Sequence, residues 1–81
     1  DHTDHLYIVN RRGQYVGRVS LTQLITQPPE RLIAELIDDS QPAIRAATTA
    51  TEVAHEFENH RYVSAPVVDD GNILIGRITV D

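Results

Sequence analysis

A stretch of this chain occurs twice. Residues 8–20, Ile8-Val9-Asn10-Arg11-Arg12-Gly13-Gln14-Tyr15-Val16-Gly17-Arg18-Val19-Ser20, return without a gap as Val67-Val68-Asp69-Asp70-Gly71-Asn72-Ile73-Leu74-Ile75-Gly76-Arg77-Ile78-Thr79, each shifted by 59 positions. Val9 meets Val68, Gly17 meets Gly76 and Arg18 meets Arg77, while Val16/Ile75, Val19/Ile78 and Ser20/Thr79 change only in size. A chain with such a period builds one supersecondary unit twice. The first copy starts near the N-terminus and the second closes the chain, so the sequence is expected to be a window from a longer protein.

Each copy is two β-rich runs around a turn. Residues 6–9 and 15–20 flank Asn10-Arg11-Arg12-Gly13, with Gly13 available for positive φ, which predicts a hairpin. Residues 21–25 follow as a short helix with Leu21, Leu24 and Ile25 on one face, ended by Pro28-Pro29. Pro29 then opens a second short helix, with Leu32, Ile33, Leu36 and Ile37 as its apolar stripe. Residues 43–46 suit a short strand. Thr49-Ala50-Thr51-Glu52 is a capping box, so a helix starts there and runs to His60-Arg61, with Val53, Ala54 and Phe57 toward the core and His55, Glu56, Glu58 and Asn59 outward. Residues 65–68 and 73–80 restate the hairpin. An apolar pair of hairpins is predicted, with Val68 and Ile78 inside and Asp38 and Asp69 at the surface.

Composition narrows the function. The net charge is −5, and all seven cationic residues are arginines scattered at positions 11, 12, 18, 31, 45, 61 and 77. Phosphate-backbone binding needs clustered cations, so a nucleic-acid partner is excluded. With no cysteine there is neither a disulfide nor a thiolate metal site. Apolar runs such as Ile73-Leu74-Ile75 are far below the roughly 20 residues that cross a bilayer, and no signal peptide is visible, so a soluble, cytosolic piece is expected. His2 and His5 point to opposite sides of an extended stretch, and His55 and His60 share no helix face. No nucleophile elbow and no phosphate-cradling glycine loop occurs, so no enzymatic activity is expected.

The short strand, the capped helix, the Ala65-Pro66-Val67-Val68-Asp69 run, the Gly-containing turn and Ile75-Gly76-Arg77-Ile78-Thr79 resemble a CBS domain, the tandem cystathionine β-synthase motif. The 59-residue period agrees with that pairing. The implied fold is α/β (α+β), built from β-α-β-β-α units with a small mixed three-stranded sheet and helices on one face, truncated at both ends. Residues 1–26 are then the C-terminal half of a first motif, 27–42 a connector with a short helix, and 43–81 a second motif without its final helix. Residues 64–81, and Leu32-Ile33-Ala34-Glu35-Leu36-Ile37-Asp38 in the connector, resemble the cytosolic CBS region of MgtE-type magnesium transporters.

That resemblance implies two ligand chemistries. CBS pairs bind adenosine nucleotides such as ATP or AMP through a Ser or Thr at the end of the hairpin and an Asp three residues on, whose carboxylate accepts from both ribose hydroxyls. Ser20 and Thr79 hold the first position. Gln23 replaces the Asp in the first copy, and the second copy's counterpart lies past Asp81. Ser20 and Thr79 are equally placed to cap helices. Mg²⁺ instead takes hard oxygen ligands. Candidate carboxylates are Glu35, Asp38 and Asp39 in the connector, Glu52 and Glu56 on the helix, and Asp69 and Asp70 in the turn, each with a local role of its own: a cap, a helix exit or a hairpin turn. In this family the implied mechanism is a homodimer through CBS helices. Carboxylates facing across its axis are neutralised by Mg²⁺, and the shift in population is passed to a membrane domain of the same parent chain. Ala47-Thr48-Thr49-Ala50-Thr51 is poorer in acid than that family's pattern. The alternatives are an adenine-nucleotide sensor attached to an enzyme or channel, and a dimerisation scaffold with no ligand.

Overall fold

The structure, a computed structural model, describes residues 4–80. Two hairpins form, one per repeat. In the first, β1 (His5–Val9) pairs antiparallel with β2 (Tyr15–Ser20). The second joins β4 (Ser64–Val68) to β5 (Leu74–Thr79), and the short β3 (Ile44–Arg45) adds to β4 in parallel, giving a mixed three-stranded sheet in the order β3-β4-β5. The helices are α1 (Leu21–Thr26), α2 (Ile33–Leu36) and α3 (Ala50–His60).

The repeat is kept to the level of single hydrogen bonds. Asn10 Oδ1 accepts from the amides of Arg12 (2.9 Å) and Gln14 (3.0 Å), and Asp69 Oδ1, 59 residues on, accepts from those of Gly71 (2.8 Å) and Ile73 (3.0 Å). A short side chain that accepts from the backbone two residues ahead is the reason Asn and Asp favour such turns. Both hairpins bulge at the same place, Ile8/Val9 and Val67/Val68. The left-handed position falls on Gly13 (φ +80°) in one turn and on Asn72 (φ +65°) in the other. The hairpins meet where Gln14 bridges Ile73, its own counterpart. There the Tyr15 amide donates to Asn72 O (3.0 Å) and the Leu74 amide to Gly13 O (2.9 Å), an equivalent pair of bonds that marks an internal two-fold axis.

The core is thin. Val19, Ile44, Ala65 and Val68 are its buried apolar side chains, with Pro66 fully enclosed. Each buried valine contributes about 1.5–3 kcal/mol, and a chain this short has little to spare. Several expected faces are more open than the periodicity predicts. Ile25 is 74% exposed and Leu21 is also exposed, leaving Leu24 half-buried on α1. Ala54 is exposed and Glu56 half-buried, so α3 is rotated from the expected orientation, with Val53 and Phe57 half-buried and the Phe57 ring edge to face with Tyr62 at 5.7 Å. Pro29 lies in a turn ahead of the helix, closed by the Arg31 amide on Pro28 O (3.0 Å), and α2 is a single turn with Leu32 and Ile33 exposed.

The capping box forms as expected. Thr49 Oγ1 accepts from the Glu52 amide (3.2 Å) while Glu52 reaches back to the Thr49 amide (3.3 Å). At the far end Arg61 adopts the left-handed conformation (φ +54°) and its amide closes on Phe57 O. Because the box supplies acceptors to otherwise orphaned amides, Thr49→Ala is expected to cost about 1 kcal/mol. In a thermal melt followed by circular dichroism that lowers Tm by about 4–8 °C, with the native spectrum retained.

Candidate functional site

Where the connector crosses the first hairpin, the fold builds a polar cluster. Ile37 lies over Gly17, and Asp38 exchanges two backbone hydrogen bonds with Arg18 (2.9 and 2.8 Å). Gln41, 3% exposed, is the hub: its Oε1 accepts from Arg18 Nη1 (2.6 Å), its Nε2 donates to Ser64 O (3.0 Å), and its carbonyl accepts from the Tyr15 hydroxyl (2.9 Å). The Tyr7 hydroxyl bonds Ser64 Oγ, and the Tyr7 and Tyr15 rings meet edge to face at 6.1 Å. A buried amide needs partners for its polar atoms, and here both Oε1 and Nε2 of Gln41 have one. Arg18 Nε is the exception among the described residues: it is buried without a hydrogen bond, 3.9 Å from Asp38 Oδ2.

Burial, with a smaller contribution from Tyr7, pushes the Tyr15 hydroxyl up to about 12. Its raised value in the fold means that the unfolded chain releases this proton first. Stability from Tyr15 is therefore complete below pH 10 and falls as pH rises from 10 toward 12. Urea denaturation across that range is expected to show the loss, and Tyr15→Phe to flatten it.

The nucleotide candidates stand at the hairpin ends. Ser20 is the N-cap of α1, its Oγ 3.4 Å from the Gln23 amide, and it pairs with His5 in the ladder. Thr79 pairs with Ser64, and its hydroxyl bonds no described residue. Gln23 is exposed. Its neutral amide offers one acceptor oxygen where a carboxylate would offer two.

The carboxylate candidates are spread out. Glu35 bonds Arg31 Nε (2.7 Å) and the Leu32 amide, contacts that hold it below the usual carboxylate range. Hydrogen bonds from Ser40 do the same for Asp38. Asp39 is exposed beside it. Glu52 is spent on the capping box. Glu56 lies 3.6 Å from His60 Nε2, and both Glu52 and Glu56 border a cleft of about 350 Å³ that Ile44, Arg45 and Tyr62 help to line. Asp69 holds its turn, and Asp70 pairs with Arg45 Nη2 (2.7 Å). No three acidic or histidine side chains converge on one point among the described residues, so these carboxylates do not form a metal cage within one chain. His2 lies outside the described residues, and His5 is in β1.

Sequence reasoning missed Gln41, Arg18 and Tyr15 as a cluster. The signal for Gln41 was weak, a polar residue between Ser40 and Pro42 with nothing local to predict burial. Arg18 had a clearer marker, because it is retained with the neighbouring glycine in both repeats.

Comparison with known proteins agrees with this architecture. The CBS domain family matches residues 33–81, and the chain belongs to that family. Nearly the whole chain is similar to the magnesium transporter MgtE of Bacillus subtilis, 33% identical over 78 residues, which cover 96% of this chain and 17% of that transporter. Among solved structures, the cytosolic domain of the Mg²⁺ channel MgtE in complex with ATP superposes with a TM-score of 0.89 at 31% identity, covering 100% of this chain and 33% of that one. The soluble part of a magnesium transporter gives 0.90 at 26% identity, covering 100% of this chain and 32% of the other. No helix among the described residues is long and apolar enough to cross a membrane.

Proposed function

We propose that the chain is the cytosolic regulatory CBS region of a magnesium transporter, which senses intracellular Mg²⁺ and acts on the parent's membrane domain through a homodimer. The observation that carries this reading is the similarity to MgtE across 96% of the chain. Two features of the molecule support it. The chain carries a net charge of −5, which attracts cations to its surface. Ala50 and Ala54, one turn apart on α3, and Ile25 on α1 form exposed apolar helix surface suited to pairing between copies. Since the carboxylates do not converge within one chain, Mg²⁺ acts where two chains face each other and relieves repulsion between Asp38, Asp39 or Glu56 and acidic groups of the second copy.

Sedimentation velocity tests this. Mg²⁺ is expected to move the chain from monomer toward a compact dimer, and NaCl at matched ionic strength is not. The combined variant Asp38→Asn, Asp39→Asn, Glu56→Gln is expected to dimerise with no Mg²⁺ added. An equal response to NaCl and Mg²⁺, or none to either, overturns the sensing role.

A second reading, nucleotide binding, is favoured by the ATP complex of the similar MgtE domain. Ser20 and Thr79 are its contacts. If it holds, Gln23→Asp strengthens ATP binding in titration calorimetry, because the carboxylate restores a charge-assisted bond to the ribose. Unchanged heats in that variant remove Gln23 from the site.

A further inference from the structure

The two hairpin tips are built alike, but their chemistry differs. Asp70-Gly71, in the second, is the one place in the chain where Asp or Asn precedes Gly. An aspartyl side chain ahead of glycine is able to close on the main chain, because the attacking amide belongs to a residue with no Cβ to crowd the approach and with a permissive backbone. The Gly71 nitrogen attacks Asp70 Cγ in its carboxylic acid form: an N–Cγ bond forms, the Cγ–OH bond breaks, and the amide proton leaves with that hydroxyl as water. The product is a cyclic imide, which water opens at either carbonyl. Opening at Cγ restores aspartate. Opening at the former backbone carbonyl leaves isoaspartate, in which the main chain runs through Cβ and Cγ and the α-carboxylate is free. Mass is unchanged, and water is the only co-reactant.

The Asp70 side chain is 89% exposed, so water reaches it, and what the fold controls is whether the nitrogen meets Cγ. Reaction needs the two atoms aligned about 3–3.5 Å apart, with the Gly71 peptide plane turned to present its nitrogen. The tip holds that plane in another orientation. The Gly71 amide donates to Asp69 Oδ1 (2.8 Å), the Asn72 amide closes the turn on Asp69 O (3.0 Å), and Gly71 O accepts from Gln14 Nε2 of the other hairpin (3.2 Å). The carboxylate is drawn elsewhere, since Arg45 Nη2 on β3 donates to Asp70 Oδ1 at 2.7 Å. Nitrogen and carboxylate are thus each held on a partner of their own. Half of this arrangement recurs at Asp38-Asp39-Ser40, where Asp38 Oδ1 accepts from the Ser40 amide (2.9 Å), and there the serine Cβ adds hindrance.

We propose that Asp70-Gly71 is a site of spontaneous aspartyl isomerisation, which Asp69 and Arg45 keep closed in the folded chain. The step proceeds from the locally opened turn, so its rate follows the population of that opened state. Its consequence falls on the junction of the repeats. Isoaspartate lengthens the main chain at the tip whose neighbours make the Gln14–Gly71, Tyr15–Asn72 and Gly13–Leu74 bonds between the hairpins. It also moves the carboxylate away from Arg45. The isomerised chain therefore has a looser contact between its two halves.

The test incubates the 81-residue chain at neutral pH and counts isoaspartate by chromatographic peptide mapping, in which the isomerised peptide separates at identical mass. A synthetic peptide of residues 66–75 gives the unrestrained rate. Isoaspartate is expected at Asp70 ahead of every other aspartate, and about tenfold or more slowly in the chain than in the peptide. Asp69→Ala, which removes the acceptor of the Gly71 and Ile73 amides, is expected to raise the rate in the chain about fivefold or more. Arg45→Gln, at an exposed side chain, keeps the fold and raises it as well. Gly71→Ala checks the chemistry. Gly71 has no positive φ, and a Cβ there meets Asp69 Oδ1 at 3.5 Å and Ile73 Cγ1 at 3.8 Å, so the variant folds. Its isomerisation is expected to fall about tenfold or more, because the approach is crowded. Isoaspartate appearing first at another aspartate, a chain as fast as the peptide, or an Asp69→Ala rate no higher than that of the unaltered chain overturns the proposal. Should Asp69→Ala lose its native circular dichroism, Arg45→Gln decides by the same criterion.

Discussion

Gly17→Val is expected to lower Tm by about 15 °C or more, while Gly76→Val, the same change at the repeat-equivalent position, moves it by no more than a degree or two. At Gly17 a Cβ would stand 2.6 Å from Ile37 Cγ2 and 2.8 Å from Asp38 O. The methyl belongs to a β-branched side chain with little rotamer freedom, and the oxygen is held by its hydrogen bond from the Arg18 amide. Neither neighbour gives way without lifting the connector. The backbone adds to the cost, because Gly17 has φ +156°, which L side chains rarely adopt. Overpacking of this kind costs about 1–3 kcal/mol, and strain at the backbone brings a similar amount. The Gly76 variant controls for the loss of a strand glycine, since it has open space and no positive φ. Differential scanning calorimetry of the two variants side by side decides the matter. Equal Tm values would mean that the connector is not seated on β2.

That asymmetry also shows what can be seen in such a sequence. The hairpins, their turns and the α3 cap obey rules that act within about four residues. Asn10 and Asp69 accept from amides two and four residues ahead, Thr49 and Glu52 cap each other, and the alternation in β2 and β5 repeats at a fixed offset, so all were legible. The local roles assigned to Glu52 and Asp69 were legible for the same reason. What the connector does was not. Ile37 belongs by periodicity to a helical stripe, yet it lies past the end of α2 in an extended stretch, because closing over Gly17 satisfies the β2 edge and a one-turn helix offers little in return. Gln41 is buried only because Arg18, Tyr15 and Ser64, each at least 23 positions away, converge on it. Among the candidate ligands, sequence alone placed seven carboxylates and had no means of saying that they remain apart.

Val68→Asp is expected to abolish the folded state. Val68 is 3% exposed at the centre of the three-stranded sheet, opposite Arg45 on one side and Leu74 on the other in the ladder. A carboxylate there loses its water, and the Arg45 guanidinium on the neighbouring strand is exposed and engaged with Asp70. An uncompensated buried charge costs several kcal/mol, about as much as the whole stability of a small domain, which is about 5 kcal/mol at the low end. Ile78, expected in the same core, is only half-buried, so Ile78→Asp should be milder, with the side chain turning toward solvent. At the neighbouring surface, Asp69→Lys gives up the bonds to the Gly71 and Ile73 amides, worth about 1 kcal/mol each, and still folds. Far-UV circular dichroism and urea titration of the three variants should therefore rank them Val68→Asp, then Ile78→Asp, then Asp69→Lys in order of decreasing damage. A folded Val68→Asp protein would show that β4 is not the central strand of the domain.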